Sequence, residues 1–389
     1  MDIDHPLLLL GGLSPAQFMR RHWQKKPLLV RGAIPNFKPL MSRQELVKLA
    51  GRDAVESRLI VKSAGGWRMK TGPFAPRSVP PISRPGWTLL VQGVDGHDSS
   101  VHQLLQQFRF VPDARLDDLM ISLASTDGGV GPHFDSYDVF LLQASGRRNW
   151  KIGRQKNLEL QRGVPLKILQ HFEPEEEFVL EAGDMLYLPP RYAHDGTAQA
   201  MSDAGGKSVD CMTYSIGFKA PSRSQLAASV LAKLAEFSDD EEHSSCDMPT
   251  LYSDRLQKAT AAPAELPPSL VDFADAALVR ALSDPLALAC AVGEMLTTPK
   301  ASVWFDEPET SWEPSGKVGV LLDIKTRMMY TATHVFINGE SYLASGADAT
   351  LMHKLANDRS LRQHGLAKAS SGATDLLADW HAAGWIHLM

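Results

Sequence analysis

The tripeptide His133-Phe134-Asp135 and the later His194 carry the residue types of a mononuclear non-haem iron centre. Two imidazoles and one carboxylate occupy one face of such a metal and leave the opposite face open. Iron(II) held in this way can bind a chelating cosubstrate and dioxygen at the same time. These three side chains therefore predict an oxygenase.

The spacing of these residues fits a site built on β-strands. His133 and Asp135 are two apart, and residues i and i+2 of a strand point to the same face. The third ligand must come from a strand that returns beside the first, and His194 lies 59 residues after Asp135. That leaves room for about four strands of ordinary length. An H-x-D tripeptide alone is common by chance, so its context decides.

Arg148 supplies that context. A chelating 2-oxo acid has a second carboxylate that must be neutralised inside the barrel, and a guanidinium does this with two parallel hydrogen bonds. Arg148 shares strand parity with Trp150 and Ile152, which predicts that it faces inward and that Arg147 faces outward. The alternative is that both arginines are solvent-facing hairpin charges.

The bulk composition fits an ordinary soluble globular protein of two or three domains. The chain has 389 residues, 44% of them hydrophobic, and a formal net charge of −5, which indicates no strong overall attraction to nucleic acid. Its three cysteines are far apart, which disfavours disulfides and cysteine zinc sites and fits a reducing cytoplasm. No apolar run approaches the ~20 residues of a membrane span.

The chain divides by pattern and by charge into three parts. Residues 1–220 carry 27 Lys and Arg against 23 Asp and Glu, and from residue 118 onward short apolar runs separated by Gly and Pro predict a barrel of short strands. Residues 221–300 carry 6 against 12 and have a helical apolar period. Residues 301–389 carry 7 against 10, and their short helices and hairpin suggest a winged-helix-like module.

Local signals mark individual elements. Ser14, followed by Pro15 and Gln17, predicts the start of a helix. Residues 63–86 are rich in Gly, Pro, Ser and Arg and predict a loop. Asn338-Gly339 between β-like runs predicts a hairpin.

The chain resembles the JmjC-type, cupin-fold 2-oxoglutarate oxygenases, and among them the bacterial ribosomal oxygenases that hydroxylate an arginine of a large-subunit ribosomal protein. The resemblance spans the whole chain and is strongest over residues 1–220. The matching segments are 18–23, 26–29, 129–140, 146–148, 183–190, His194 and 214–218.

The resemblance implies an α+β protein. Its parts would be a double-stranded β-helix (cupin or jelly-roll) catalytic domain over 1–220, a helical dimerisation segment over 221–300 and a winged-helix-like domain over 301–389. The implied cofactor is Fe(II), with 2-oxoglutarate and O2 as cosubstrates. The implied partners are a large-subunit ribosomal protein as substrate and a second copy of the chain. Neither membrane association nor direct nucleic-acid binding is expected. The expected location is the cytoplasm.

Residue roles follow by position. His133, Asp135 and His194 would bind iron, and Arg148 would bind the C5 carboxylate of 2-oxoglutarate. A small hydroxyl or amide residue is expected near positions 124 and 213, where this chain has Ala124 and Thr213. Thr213 can donate a hydrogen bond, and Ser122 or Ser125 is a substitute for the missing donor at 124.

Two further residues are predicted to meet the substrate. Tyr137 has the inward parity of His133 and Asp135, and its ring could stack on an arginine guanidinium. Asp138 is a partner for that cation if the strand ends early.

Two other functional classes remain open from the sequence. A histidyl hydroxylase or a JmjC lysyl demethylase would use the same iron site. A winged-helix regulator that binds nucleic acid is the non-enzymatic alternative, which the acidic balance of residues 301–389 disfavours.

Overall fold

The computed structural model describes residues 2–64, 66–206, 208–244, 251–255, 264, 266–309, 312 and 318–389. The chain forms two compact units, Met1–Ala220 and Pro221–Met389. The predicted further division at residue 300 stays a prediction.

The first unit is built mainly from β-strands. Its helices are α1 (Pro15–Arg21), α2 (Arg43–Leu49) and α3 (Ser99–Gln106). Its strands are β1 (Leu28–Val30), β2 (Ser57–Ser63), β3 (Gly66–Thr71), β4 (Trp87–Val91), β5 (Leu116–Ala124), β6 (Asp138–Ser145), β7 (Arg147–Gly153), β8 (Glu176–Leu180), β9 (Met185–Leu188), β10 (Ala193–Gln199) and β11 (Cys211–Phe218).

These strands form two antiparallel sheets. The larger has the order β1-β9-β6-β11-β5-β4-β2-β3, and the smaller has the order β10-β7-β8. One apolar cluster combines Val139, Leu141 and Leu186 of the larger sheet with Trp150 and Ile152 of the smaller. Because it draws on both sheets, this cluster lies between them. The predicted double-stranded β-helix is confirmed.

The opposite face of the larger sheet packs against the helices. Phe140 and Tyr214 of this face share a core cluster with Phe18 of α1, Leu46 of α2 and Leu104 of α3. Alternate residues of β6 therefore serve two different cores, as the period of two along a strand requires.

The predicted start of α1 is confirmed. The Ser14 side chain accepts a hydrogen bond from the Gln17 backbone at 3.2 Å, and the Gln17 side chain accepts one from the Ser14 backbone at 3.2 Å. Pro15 occupies the first helical position, where its missing N–H leaves no intrahelical bond unmade.

The sequence prediction of a loop over 63–86 is wrong in part, because β3 lies within it. β3 pairs with β2 from Gly66 opposite Ser63 to Thr71 opposite Arg58. Pairing with an existing strand outweighs the weak strand preference of this Gly- and charge-rich sequence. The remaining segment, from Gly72 to Gly86, connects β3 to β4.

A buried carboxylate ties the segment after α1 to the larger sheet. Asp138 is fully buried and accepts hydrogen bonds from the Tyr187 hydroxyl at 2.6 Å, Gln24 Nε2 at 3.0 Å and Arg115 Nη2 at 3.1 Å. The Tyr187 oxygen also accepts from the Gln24 backbone at 2.8 Å. Burial and the Asp138 charge raise the pKa of Tyr187, so this hydroxyl stays a donor.

Replacing Tyr187 with phenylalanine is expected to lower the free energy of unfolding by about 1–3 kcal/mol, because Asp138 and the Gln24 amide each lose a buried partner. Urea unfolding measures this loss. Tyr330→Phe is the control. Tyr330 is 39% exposed and its hydroxyl accepts a hydrogen bond from Asn357, so the free energy of unfolding is expected to change by no more than about 0.5 kcal/mol. Equal losses in the two variants would contradict the structural role of Tyr187.

The second unit begins with three helices and continues as α+β structure. The helices are α4 (Arg223–Ser244), α5 (Pro268–Leu282) and α6 (Pro285–Thr297). There follow β12 (Val320–Leu322), β13 (Met328–Tyr330), β14 (His334–Ile337), β15 (Glu340–Leu343), α7 (Gly346–Asp358), β16 (Ser360–Leu361), α8 (Gln363–Leu366), α9 (Ser371–Ala382) and β17 (Ile386–Leu388).

The predicted hairpin in this unit is confirmed. β14 and β15 pair with Ile337 opposite Glu340. Asn338 and Gly339 between them have φ values of 48° and 95°, the left-handed conformations that a two-residue turn of this type requires.

No helix in the described part of the chain is by itself long and apolar enough to cross a membrane. α5 and α6 reach that length and composition only when taken together, and they are bent by 76° at the break between them.

Candidate metal centre

The backbone brings the two histidines side by side. His133 N donates to the His194 carbonyl at 2.9 Å, and His194 N donates to the His133 carbonyl at 2.8 Å. The segment before β6 therefore runs antiparallel to β10, and the two imidazole rings lie 4.2 Å apart between centroids. One pair of backbone hydrogen bonds thus joins residues that are far apart in the sequence.

Asp135 completes a compact group of three. The ligand atoms offered by His133, Asp135 and His194 all lie within 4.8 Å of one another. The distance from Asp135 Oδ2 to His194 Nε2 is 3.6 Å. Metal–nitrogen and metal–oxygen bonds of about 2 Å span up to roughly 4 Å across one ion, so the pair at 3.6 Å can share an ion and His133 lies close enough to complete the group.

Both histidines are oriented by carbonyl oxygens. His133 Nδ1 lies 2.9 Å from the Gly131 carbonyl, and His194 Nδ1 lies 2.9 Å from the Tyr192 carbonyl. A carbonyl can only accept, so Nδ1 carries the proton in the neutral ring and Nε2 keeps its lone pair. Each imidazole is therefore held in the tautomer that binds a metal through Nε2.

The environment keeps His194 neutral. Burial, followed by the neighbouring His133, lowers the pKa of His194 to about 4. The neutral ring is the form that can act as a ligand. The donor set of two neutral imidazoles and one carboxylate fits iron(II).

Glycine is required where the chain passes close to the metal-binding residues. Gly131 has a φ of 79°, and a Cβ atom there would lie 3.0 Å from Trp67 Cζ2 and 3.2 Å from Ile168 Cδ1. A Cβ atom on Gly196 would come within 2.5 Å of the Trp150 ring. The side chains of Trp67, Ile168 and Trp150 pack directly on this backbone.

Arg148 lies on the smaller sheet and is buried, with 3% of its surface exposed. Its Nε and Nη2 atoms have no hydrogen-bond partner among the described residues, and its guanidinium carbon is 5.7 Å from the Trp150 ring centre. Arg147 points the other way and pairs with Glu181 at 2.7 Å. A buried guanidinium with free donors fits a carboxylate ligand.

Thr213 is buried and its hydroxyl donates to Gln143 Oε1 at 2.9 Å. Gln143 Nε2 in turn donates to the Ser145 carbonyl at 2.7 Å and contacts Cys211 Sγ at 3.4 Å. Sequence reasoning missed Gln143, and the inward parity that it shares with Leu141 was the signal that could have found it. A contact between Thr213 and the cosubstrate stays a prediction.

Ser125 is buried and bonded to a neighbouring strand. Its hydroxyl accepts from the Trp87 backbone at 3.1 Å and donates to the Trp87 carbonyl at 3.3 Å. Because it lies one residue beyond β5, it serves to join the ends of β4 and β5. A contact between Ser125 and the cosubstrate stays a prediction.

The prediction that Asp138 meets the substrate requires correction, because Asp138 is fully buried. It shares strand parity with Phe140, which faces the helices, and its carboxylate is bonded by Gln24, Arg115 and Tyr187. The strand begins at Asp138 rather than ending there, so the condition for a substrate contact is not met.

Tyr137, by contrast, is 37% exposed. Burial of its hydroxyl end, followed by the charges of Asp135, Asp118 and Asp117, raises its pKa. A partly exposed aromatic ring thus lies among carboxylates beside the metal-binding group.

Comparisons with known proteins agree with this geometry. A family model described as the JmjC domain matches residues 103–226, and one described as a ROXA-like winged helix matches residues 280–387. The ribosomal protein uL16 3-hydroxylase of Escherichia coli is 31% identical over 349 residues, which cover 89% of this chain and 88% of that protein. This chain belongs to the JmjC-type ribosomal oxygenases.

Other relatives and solved structures agree with the family. A probable ribosomal oxygenase of Haemophilus influenzae is 31% identical over 251 residues, 63% of this chain and 59% of that protein. An X-ray structure of E. coli YcfD has a TM-score of 0.79 at 28% identity and covers 96% of this chain and 98% of its own. A YcfD structure in complex with cobalt and 2-oxoglutarate has a TM-score of 0.76. The predicted resemblance and fold are confirmed.

Proposed function

We propose that this ribosomal oxygenase uses iron(II) and 2-oxoglutarate to hydroxylate an arginine side chain of a large-subunit ribosomal protein. The observation that carries the proposal is the convergence of His133, Asp135 and His194 within 4.8 Å, in a unit that also buries a guanidinium with free donors. The similarity to the uL16 3-hydroxylase supports the substrate class.

The three ligands would hold the metal through His133 Nε2, His194 Nε2 and an Asp135 oxygen. When bound, iron(II) supplies the redox chemistry that couples dioxygen activation to oxidation of 2-oxoglutarate. The protein's own task is positioning. The Gly131 and Tyr192 carbonyls fix the imidazoles, and the Trp150 ring packs beside His194 with 5.8 Å between ring centres.

Arg148 would bind the C5 carboxylate of 2-oxoglutarate. Its guanidinium keeps its charge under all physiological conditions, and its free Nε and Nη2 atoms offer the parallel pair of donors that a carboxylate accepts. This contact would orient the opposite, chelating end toward the metal.

Tyr137 would receive the substrate arginine. Its ring can stack on a guanidinium, and the nearby carboxylates of Asp117 and Asp118 favour a cation over a neutral side chain. This charge pattern favours arginine over histidine as the target.

The alternative activities have weaker support. A bifunctional lysine-specific demethylase and histidyl-hydroxylase of Drosophila persimilis is 24% identical over 199 residues, 49% of this chain and 29% of that protein. The bacterial uL16 hydroxylase instead matches both units. For residues 301–389 we assign no nucleic-acid-binding role, because acidic residues outnumber basic ones there.

We further infer a homodimer held by the helices of residues 221–300 and a cytoplasmic site of action, where ribosomal proteins are made. α5 and α6 expose apolar side chains that a second copy could cover. These include Val271, Leu278, Val279, Leu282 and Leu286, each of which is between 48% and 56% exposed.

The substrate assignment predicts a specific mass change in cells. Ribosomal proteins from cells with and without this chain are compared by mass spectrometry. One large-subunit protein is expected to carry one added oxygen atom on an arginine only when the chain is present. Modification of a histidine, or no mass difference in any ribosomal protein, would contradict the assignment.

A further inference from the structure

The first unit has a strongly basic segment beside the metal-binding group. Residues 57–86 contain six Lys and Arg and no Asp or Glu. The balance of +4 over residues 1–220 hides this concentration, because acidic residues accumulate elsewhere in the unit. Five of the six basic side chains are exposed, namely Lys62, Arg68, Lys70, Arg77 and Arg84.

Three of these cations lie toward one end of the β2–β3 hairpin. Lys62 is opposite Trp67 and shares its face of the hairpin, whereas Arg68 is opposite Val61 and projects from the other face at the same end. The Lys62 backbone N–H donates to the Gly86 carbonyl at 2.8 Å, which brings the segment carrying Arg84 to the same end. Lys62 Nζ also lies 5.4 Å from the centre of the Trp67 ring.

A second basic pair approaches from the long connection between β7 and β8. Gln161 N donates to the Ile168 carbonyl at 2.8 Å, so the chain doubles back there and places the exposed Arg162 near the exposed Lys167. Ile168 and Trp67 both pack on Gly131, two residues before His133. The hairpin and the connection therefore meet over the metal-binding segment.

We call Lys62, Arg68, Arg84, Arg162 and Lys167 the basic rim. Within the described part of the chain, none of the five forms an ion pair. Charges on an edge strand can simply prevent strand-to-strand aggregation. That explanation covers Arg68 on β3 but not Arg84, Arg162 or Lys167, which lie outside the edge strand.

We propose that the basic rim binds the phosphate backbone of single-stranded RNA next to the metal centre. Several cations without an ion pair around one end of the hairpin and the adjoining connection fit a polyanion, and a partly exposed tryptophan beside a lysine fits base stacking. The rim would let the enzyme engage its target while that target is near RNA. This last step rests on the proposed ribosomal substrate, whereas RNA binding itself does not.

The test uses the full-length protein and a fluorescein-labelled poly-uridine of about 20 nucleotides, with anisotropy measured from about 50 to 200 mM NaCl. The rim variant is Lys62→Glu/Arg68→Glu/Arg84→Glu. The control variant, Lys38→Glu/Lys48→Glu/Arg52→Glu, reverses three exposed cations of the same unit.

The parent and control are expected to bind with a steep salt dependence. The rim variant is expected to bind roughly 10-fold or more weakly, with a log–log salt slope smaller by about 2, since each lost phosphate contact removes about 0.7. Absence of salt-dependent binding in the parent, or equal weakening in the control, would overturn the proposal. So would rim-dependent binding to phosphatidylglycerol vesicles without binding to RNA.

Two checks separate other causes of failure. The thermal shift produced by manganese and 2-oxoglutarate should be equal in parent and rim variant, which shows that the fold and the cosubstrate site are intact. If the charge reversals prevent folding, the neutral set Lys62→Gln/Arg68→Gln/Arg84→Gln replaces them and must show the same loss. Hydroxylation of the isolated ribosomal protein without RNA tests the proposed function separately.

Discussion

Replacing Asp135 with alanine is expected to abolish succinate formation from 2-oxoglutarate and to weaken metal binding by more than about 100-fold. Loss of residues that merely orient a ligand already costs 10- to 100-fold, and Asp135 would be the sole anionic ligand in the group with His133 and His194. Metal affinity is measured by calorimetry and turnover by succinate release.

The matched control is Glu181→Ala. Glu181 is an exposed carboxylate of the same unit that pairs with Arg147 on the surface, so metal affinity and turnover should be unchanged. Both variants should melt close to the parent in the absence of metal. Retained turnover in the Asp135 variant would overturn the ligand assignment.

Strand parity accounts for what the sequence predicted correctly about the site. The period of two along a strand predicted Arg148 inside and Arg147 outside. In the structure Arg148 is buried and Arg147 forms an exposed ion pair with Glu181. The same rule fails only where the strand boundary is misjudged. Asp138 was predicted to meet the substrate if the strand ended early, but β6 begins there and Asp138 faces the helices.

Features fixed by tertiary contacts were beyond the sequence. Ser125 joins β4 to β5 through the Trp87 backbone, and Gln143 is bonded to Thr213 through its amide. Neither contact has a spacing signature, because the partners come from different strands. The carbonyls that orient His133 and His194 are likewise set by local backbone conformation.

The basic rim shows what a charge balance over whole domains leaves out. Net charge was counted over whole domains, whereas a polyanion senses charge within about one Debye length, near 10 Å at moderate salt. Residues 57–86 contain no acidic residue, yet their charge is offset in the total by carboxylates farther along the chain. Charge balance therefore has to be read along segments that the fold brings together.

Replacing Arg148 with methionine is expected to raise the KM for 2-oxoglutarate by roughly 10- to 100-fold while leaving metal affinity unchanged. Hydrogen bonds to a charged group contribute about 1.5–3 kcal/mol, and methionine keeps the length of the side chain but removes every donor. Succinate formation as a function of 2-oxoglutarate concentration measures the effect.

The same variant separates a binding role from a structural one. In the absence of cosubstrate, Arg148 is a buried cation with unpaired Nε and Nη2 atoms, an arrangement that costs free energy. Arg148→Met should therefore be at least as stable as the parent without 2-oxoglutarate. At a concentration a hundredfold above the parent Kd, it should lose about 1.3–2.3 kcal/mol of the stabilisation of about 2.7 kcal/mol that the parent gains. Arg147→Met should behave as the parent in both assays, because Arg147 makes only an exposed ion pair. A structural Arg148 would give the opposite pattern, with lower stability before 2-oxoglutarate is added and an unchanged response afterwards.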